Sequence, residues 1–364
     1  MLRKILDLGA QRIWLTHREY LREKHELNYL FWECTLNCNF QCKHCGSRAG
    51  EKYIKETIST KEIKDAFLDI SNNFEVKKIT IAITGGEPLL RMDLFEVMKY
   101  ASSLGFAWGM VSNGSLVTEE VVKKAKDAGM KTLDISIDGI GKIHDEFRNT
   151  NGSYEKAIRA VKLYTKENFL NPLRITTTIN KSNINLLDEM YNTFSQLDIS
   201  DWRLLSVDPI GRTIINKDIL LTKDQLTKLL QFIKKKRETK SKINITSGCA
   251  HYLGDEFEDK VRNHFFYCGT GINIGSILHN GDIFVCPNVP REKHLIQGNI
   301  KHDLFSDIWN NKFKIFRDKN RTACEKCNKC KDWEKCLGGS FHAWDFKKNH
   351  PKMCYMDENL YLDN

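Results

Sequence analysis

From about residue 27 to residue 236, short β-branched runs alternate with longer stretches whose apolar residues recur every three or four positions. The runs at 27–34, 78–84 (KITIAIT), 106–112, 131–137 (KTLDISI), 173–179 (LRITTTI) and 202–207 read as strands. The stretches 60–71, 93–104, 118–128, 154–166, 185–197 and 223–236 read as helices, with Thr60 placed to cap the first and Gly129 to close the third. Six strand–helix units in regular alternation predict an α/β fold, a partial (β/α)6 TIM-like barrel. Eight units would close the barrel; six leave it open. Ligands of such sheets sit beyond the carboxyl ends of the strands, so chemistry is expected just after each strand.

The pattern differs at both ends. Residues 1–26 set Ile5, Leu8, Ile13 and Leu15 among many charges, which reads as an amphipathic helical extension and not a signal peptide. From 244 onward cysteines become dense. Two short strands, 274–278 and 282–285, flank the turn His279-Asn280-Gly281 as a hairpin that opens a small Cys-rich domain. The expected organisation is an extension (1–26), a core (27–240) and a C-terminal domain (244–356).

The cysteines change the picture most. There are twelve in 364 residues: four between 34 and 45, eight between 249 and 354, and none between. No apolar run is long enough to span a bilayer, so a cytoplasmic location is expected. In a reducing compartment clustered cysteines mean metal and not disulfides, here in two separate regions. The net charge of +9 suits an acidic partner. The basic run Lys234, Lys235, Lys236 and Arg237 has no interleaved aromatics and reads as a solvated face. No nucleic-acid or membrane partner is expected.

Cys38-x3-Cys42-x2-Cys45 puts three thiols on one loop after the first strand. Iron–sulfur clusters normally take four thiolates, so three leave one iron of a [4Fe–4S] cube open to a cofactor or substrate. Cys34 ends the strand and is expected to pack as a small hydrophobe. Zinc is the competing reading, but zinc favours paired CxxC units and a closed shell. Forty residues on, Gly85-Gly86-Glu87-Pro88 follows the second strand. Its glycines let the backbone approach a ligand, and its carbonyls and Glu87 can accept hydrogen bonds from an ammonium.

Cys38, Cys42 and Cys45 followed by Gly85-Gly86-Glu87-Pro88 resemble the radical S-adenosylmethionine (radical SAM) superfamily. The resemblance implies a catalytic [4Fe–4S] cluster on the three cysteines and SAM bound through the GGEP loop. His44 stands where the family often has an aromatic residue, and would stack near the adenine. Ser112-Asn113 resembles the ribose-contacting segment. Ser136 and Asp138, with Arg148 downstream, resemble the segment that contacts the SAM carboxylate; for Arg148 the alternative is a surface ion pair. Thr178 and Asn180 end the fifth strand and would face the same cavity. Pro209-Ile210-Gly211-Arg212 resembles a loop of one subgroup.

Cys268, Cys286, Cys324, Cys327, Cys330, Cys336 and Cys354 resemble the SPASM extension, which usually carries two auxiliary [4Fe–4S] clusters; paired CxxC units keep zinc open as an alternative. Cys327, Cys330, Cys336 and Cys354 match the second cluster. Cys268 and Cys286 match the first, with Cys249 as a third ligand. Where the family has a further cysteine this sequence has Ser340. Cys324 is expected to substitute; the alternative is a site filled by water, His342 or substrate. The segments 268–299 and 324–344 are similar to a SPASM subfamily encoded beside small lipoprotein-like genes.

The chemistry the resemblance implies is reductive cleavage of SAM to a 5′-deoxyadenosyl radical, which abstracts hydrogen from an unactivated carbon. The expected substrate is a peptide or protein, with a reductant such as ferredoxin or flavodoxin as the other partner. An anaerobic sulfatase maturase and an enzyme for a small molecule or tetrapyrrole are the alternatives. A non-enzymatic electron carrier needs neither barrel nor GGEP loop.

Overall fold

A computed structural model describes residues 2–55, 58–239, 241–248 and 251–362. Its centre is one ten-stranded sheet. The N-terminal helix α1 (Leu2–Lys24) precedes β1 (Tyr29–Thr35). Then α2 (Thr60–Asn73), β2 (Thr80–Gly85), α3 (Leu94–Ser103), β3 (Ala107–Ser112), α4 (Glu119–Asp127) and β4 (Thr132–Ser136) alternate. A short helix α5 (Lys142–Arg148), for which the sequence pattern gave no signal, precedes α6 (Ser153–Glu167) and β5 (Leu173–Ile179). After α7 (Leu187–Phe194) come β6 (Asp201–Ser206), α8 (Lys223–Glu238) and β7 (Asn244–Ser247).

Strands β1 to β7 pair in parallel and in chain order. Alternation along each strand sends one row of side chains to the helices and the other into the barrel lumen. Trp202, for instance, meets Phe194 and Phe232 edge-on. Three of the described barrel helices, α2, α4 and α8, start where a side chain satisfies free N–H groups. Ser59, and not Thr60, caps α2 in a reciprocal box with Glu62, and Thr222 does the same for α8 with Gln225. Thr118 caps α4 through the Val121 N–H.

The hairpin forms at the expected turn, as β8 (Ile274–Ile277) and β9 (Asp282–Phe284). It joins the barrel sheet: β8 pairs with β1 in parallel, from Tyr29↔Ile274 to Trp32↔Ile277. The short β10 (Gly298–Asn299) closes that edge. Strand β7 likewise adds to β6, so the sheet draws strands from both sides of residue 244.

Two sequence readings change. The basic run on α8 is not simply solvated: Lys236 lies 3.0 Å from Asp188 and over the Tyr191 ring, and Arg237 donates to the Ile245 carbonyl. Helix α1 is stapled to the C-terminal region, where Arg18 and Arg22 donate to the carbonyls of Glu334, Lys335 and Arg317. Among the described residues no helix is long and apolar enough to cross a membrane.

Candidate active site

The loop after β1 brings Cys38, Cys42 and Cys45 together at the carboxyl end of the sheet. Their sulfurs lie close enough for each charge to act on the next. The Phe40 N–H donates to the Cys38 sulfur at 3.4 Å, and Arg148 Nη1 reaches the Cys42 sulfur at 3.8 Å. Burial first, then the neighbouring thiols, push Cys38 up to about 12. A metal group that binds here must displace these protons, and the N–H donors aimed at sulfur then offset the added negative charge. Cys34 points the other way, fully buried in the core behind the strand.

The loop is clamped from the far side by Arg212. Its guanidinium donates to the carbonyls of Cys42 (3.1 Å) and Ala49, while its N–H reaches the Cys45 carbonyl at 3.0 Å. A Cβ on Gly211, where φ is +56°, would stand 2.2 Å from the Cys45 carbonyl. In the sequence this segment stands out only as a resemblance; the arginine three residues after Pro209 was the signal.

The glycines after β2 serve a backbone contact. Gly86 N–H donates to the Thr35 carbonyl, and Glu87 N–H to that of Asn37, both at 2.8 Å. A Cβ on Gly85 or Gly86 would fall about 2 Å from those same carbonyls. The Glu87 side chain is fully buried and accepts from Ser112 Oγ (2.8 Å), Asn113 N (2.8 Å) and Leu89 N (3.3 Å). Burial pushes its carboxyl above the ordinary range against those three donors. Glu87, expected as an acceptor for an ammonium, is thus a strut between the β2 and β3 loops, and Ser112 and Asn113 are its partners. The Asn113 side chain continues to Asn39, next to Cys38. Pro88 is buried behind the loop.

Asp138, after β4, is fully buried and central. It accepts from Arg148 Nε at 2.6 Å and from the Thr178 N–H at 2.7 Å, and its own N–H donates to His144. Burial works to raise its carboxyl, but Arg148 and the two histidines hold it low. Arg148 is therefore no surface pair. One arm holds Asp138 and another the Cys42 sulfur. His44 stacks on Phe147 with ring centroids 4.3 Å apart and planes within 1°, and its buried Nδ1 has no partner. Ser136 lies on the lumen face two residues beyond Asp134, half-buried. Thr178 is also half-buried there, but Asn180 is not available: it accepts from Ser182 and donates to the Thr178 carbonyl.

In the C-terminal region Cys327, Cys330, Cys336 and Cys354 all line one cavity of about 260 Å³, with Gly338, Gly339 and Met353. Burial pushes Cys336 up to about 12. Cys268 and Cys286 lie within reach of each other's charge. Burial opposes ionisation of Cys268, but Arg321 together with hydrogen bonds from Thr270 and Phe341 holds the thiol below its ordinary value. Burial sends Cys286 up to about 12. Cys324 stands with the other group: its sulfur accepts the Cys327 N–H at 3.4 Å as a helix cap. That placement does not favour Cys324 as the substitute ligand of the first auxiliary cluster. Cys249 lies outside the described residues.

A family model described as the radical SAM superfamily matches residues 32–193. Its span takes in the cysteine loop, the GGEP loop and Arg148. The chain carries a radical SAM superfamily domain. An iron–sulfur cluster-binding SPASM model matches residues 268–331. The chain is 28% identical over 345 residues to an AdoMet-dependent heme synthase of Methanosarcina barkeri (strain Fusaro / DSM 804), covering 89% of this chain and 95% of that one. It is 28% identical over 318 residues to the mycofactocin maturase MftC of Mycobacterium tuberculosis (strain ATCC 25618 / H37Rv), covering 86% and 78%. The fold is similar to that of native anSMEcpe with bound AdoMet and Cp18Cys peptide, at TM-score 0.68 and 18% identity, covering 92% and 93%.

This radical SAM enzyme uses a [4Fe–4S] cluster and SAM, with auxiliary iron–sulfur clusters in its SPASM domain. The residues present fit such groups: three converging thiols with N–H donors on sulfur, an unpartnered imidazole nitrogen beside them, and a cavity ringed by four cysteines. A triad the sequence did not reveal ties the end of β6 to the C-terminal region. Asp208, after β6, accepts from His342 Nε2 at 2.8 Å and His251 Nε2 at 3.4 Å. Burial would raise Asp208, but the two imidazoles hold it well below the usual carboxylate range.

Proposed function

We propose that this radical SAM enzyme abstracts hydrogen from a peptide or protein substrate held in the barrel lumen. Cys38, Cys42 and Cys45 would hold the catalytic cluster, and the fourth iron would be left to SAM. When bound, the cluster and SAM supply the one-electron reduction that yields a 5′-deoxyadenosyl radical. The chain's own residues position and insulate that chemistry. Arg148 holds the Cys42 sulfur, Arg212 fixes the loop from behind, and Glu87 locks the β2 loop against the β3 loop. The observation that carries the reading is the convergence of three thiols on one loop at the mouth of the lumen.

Cys327, Cys330, Cys336 and Cys354 would hold one auxiliary cluster, and Cys268 and Cys286, with Cys249, another. Each chain would then carry three clusters. A peptide substrate is supported by the maturase relative and by the peptide in the similar solved structure. A tetrapyrrole is the second reading, supported by the heme synthase relative, which is matched over nearly its whole length. Anaerobic reconstitution with SAM and dithionite tests the chemistry through release of 5′-deoxyadenosine. Mass spectrometry of a co-expressed short peptide, set beside incubation with Fe-coproporphyrin III, separates the substrates. A mass change in the peptide supports the first reading; a change confined to the porphyrin replaces it with the second.

A further inference from the structure

We propose that the barrel lumen contains a carboxylate-binding subsite made by Arg174 and Arg203, and that the substrate carries a free carboxylate. The inference rests on the reading of the lumen as the reaction chamber. Register and alternation place the pair. Asp134 on β4 sits beside Arg174 on β5, and Thr176 beside Arg203 on β6, all on the face opposite Trp202 and its helices.

Asp134 accepts from Arg203 Nη2 at 2.8 Å, from Thr176 Oγ1 at 2.7 Å, and from Arg174 Nη1 at 3.3 Å. Arg203 Nε reaches Thr176 Oγ1 at 3.3 Å. One carboxylate thus faces two guanidiniums. Each guanidinium carries five N–H donors in a planar fork. Arg174 uses one nitrogen and Arg203 two.

The remaining donors belong to partly exposed side chains. The arginine side chains keep 23% and 32% of their exposure, against 11% for Asp134. The acid is covered, while its two cations remain partly open. Glu33 does not claim their free donors, because His279 and Arg291 occupy its two oxygens, and Asp201, beside Arg174 in register, accepts from Asn244. Paired guanidiniums fixed by a shared acid are preorganised for bidentate capture of a second carboxylate. The carboxylate could belong to a peptide or to a tetrapyrrole side chain.

The test is equilibrium dialysis of the anaerobically reconstituted full chain against matched probes. One pair is Fe-coproporphyrin III and its tetramethyl ester. The other is a short synthetic peptide bearing a glutamate, as free acid and with its carboxyls amidated. The expected result is that at least one free acid binds about tenfold or more tighter than its blocked form. Arg203→Gln should erase that preference, Arg203→Lys should keep part of it, and Asp134→Asn should strengthen it, because both guanidiniums are released. An Asn variant that binds more tightly has the opposite sign to a damaged barrel. The proposal is overturned if no free acid binds, if blocked and free forms bind alike, or if Arg203→Gln keeps the preference. Release of 5′-deoxyadenosine from the same wild-type preparation is measured alongside. Release without carboxylate preference defeats the subsite alone; absence of release defeats the underlying function.

Discussion

Arg148 shows how one side chain serves two charges. It is buried with Asp138 on one arm and the Cys42 sulfur on another. Removing the acid would leave a buried cation unpaired, which costs about 3–5 kcal/mol. Asp138→Asn is therefore expected to destabilise the metal-free protein by that order at neutral pH, read by urea denaturation. The sign of its pH dependence follows. The carboxyl is held below its ordinary value, so the stabilisation is full above the unfolded pKa and is lost as pH falls through the lower folded one. The gap between wild type and variant should close only in acid, below about pH 4. Cys34→Ala should leave SAM cleavage intact because Cys34 packs in the core, whereas Ala at Cys38, Cys42 or Cys45 should abolish it. A dead Cys34 variant would move the ligand set by one residue.

At the scale of elements, the strands and most helices were legible because their periodicities are clean. KITIAIT and LRITTTI fall on β2 and β5, and the stretch read as a helix from 118 to 128 contains α4. Less legible was whatever depends on contacts between distant segments. Seven-residue α5 is too short to show a period, and Ser59 beats Thr60 because its reciprocal bonds with Glu62 form only once the helix turns. Likewise the residue types at Glu87 and Asn180 suggested a ligand-facing role, but their atoms are consumed by neighbouring loops. Gly211 belongs to this scale too. An added Cβ must displace the Cys45 backbone, so Gly211→Ala should lower iron loading of the reconstituted protein while α8 and the sheet stay folded, checked by circular dichroism. In the SPASM domain, replacing Cys327 or Cys330 removes a wall of the four-cysteine cavity. Cluster binding is coupled to folding there, so limited proteolysis should cut that domain faster.

For the whole molecule, one sheet joins the two iron–sulfur regions. The hairpin that carries Cys286 pairs with β1, the strand that feeds Cys38. The Asp208, His251 and His342 triad ties the carboxyl end of β6 to the C-terminal region. Neither join was visible in the chain, because both partners lie far apart in sequence. What the sequence did carry was the count and spacing of cysteines, which bound the metal content. Three clusters of four irons predict about twelve irons per chain, and about eight would remove one auxiliary cluster. The central claim is that one iron is left uncovered by the polypeptide for SAM. Electron–nuclear double resonance of the dithionite-reduced cluster, with SAM labelled by nitrogen-15 at its amino group, tests it directly. A nitrogen coupling that appears with SAM, survives in Cys34→Ala and vanishes in Cys42→Ala is the predicted result; a fully reduced cluster with no coupling from the label would contradict it.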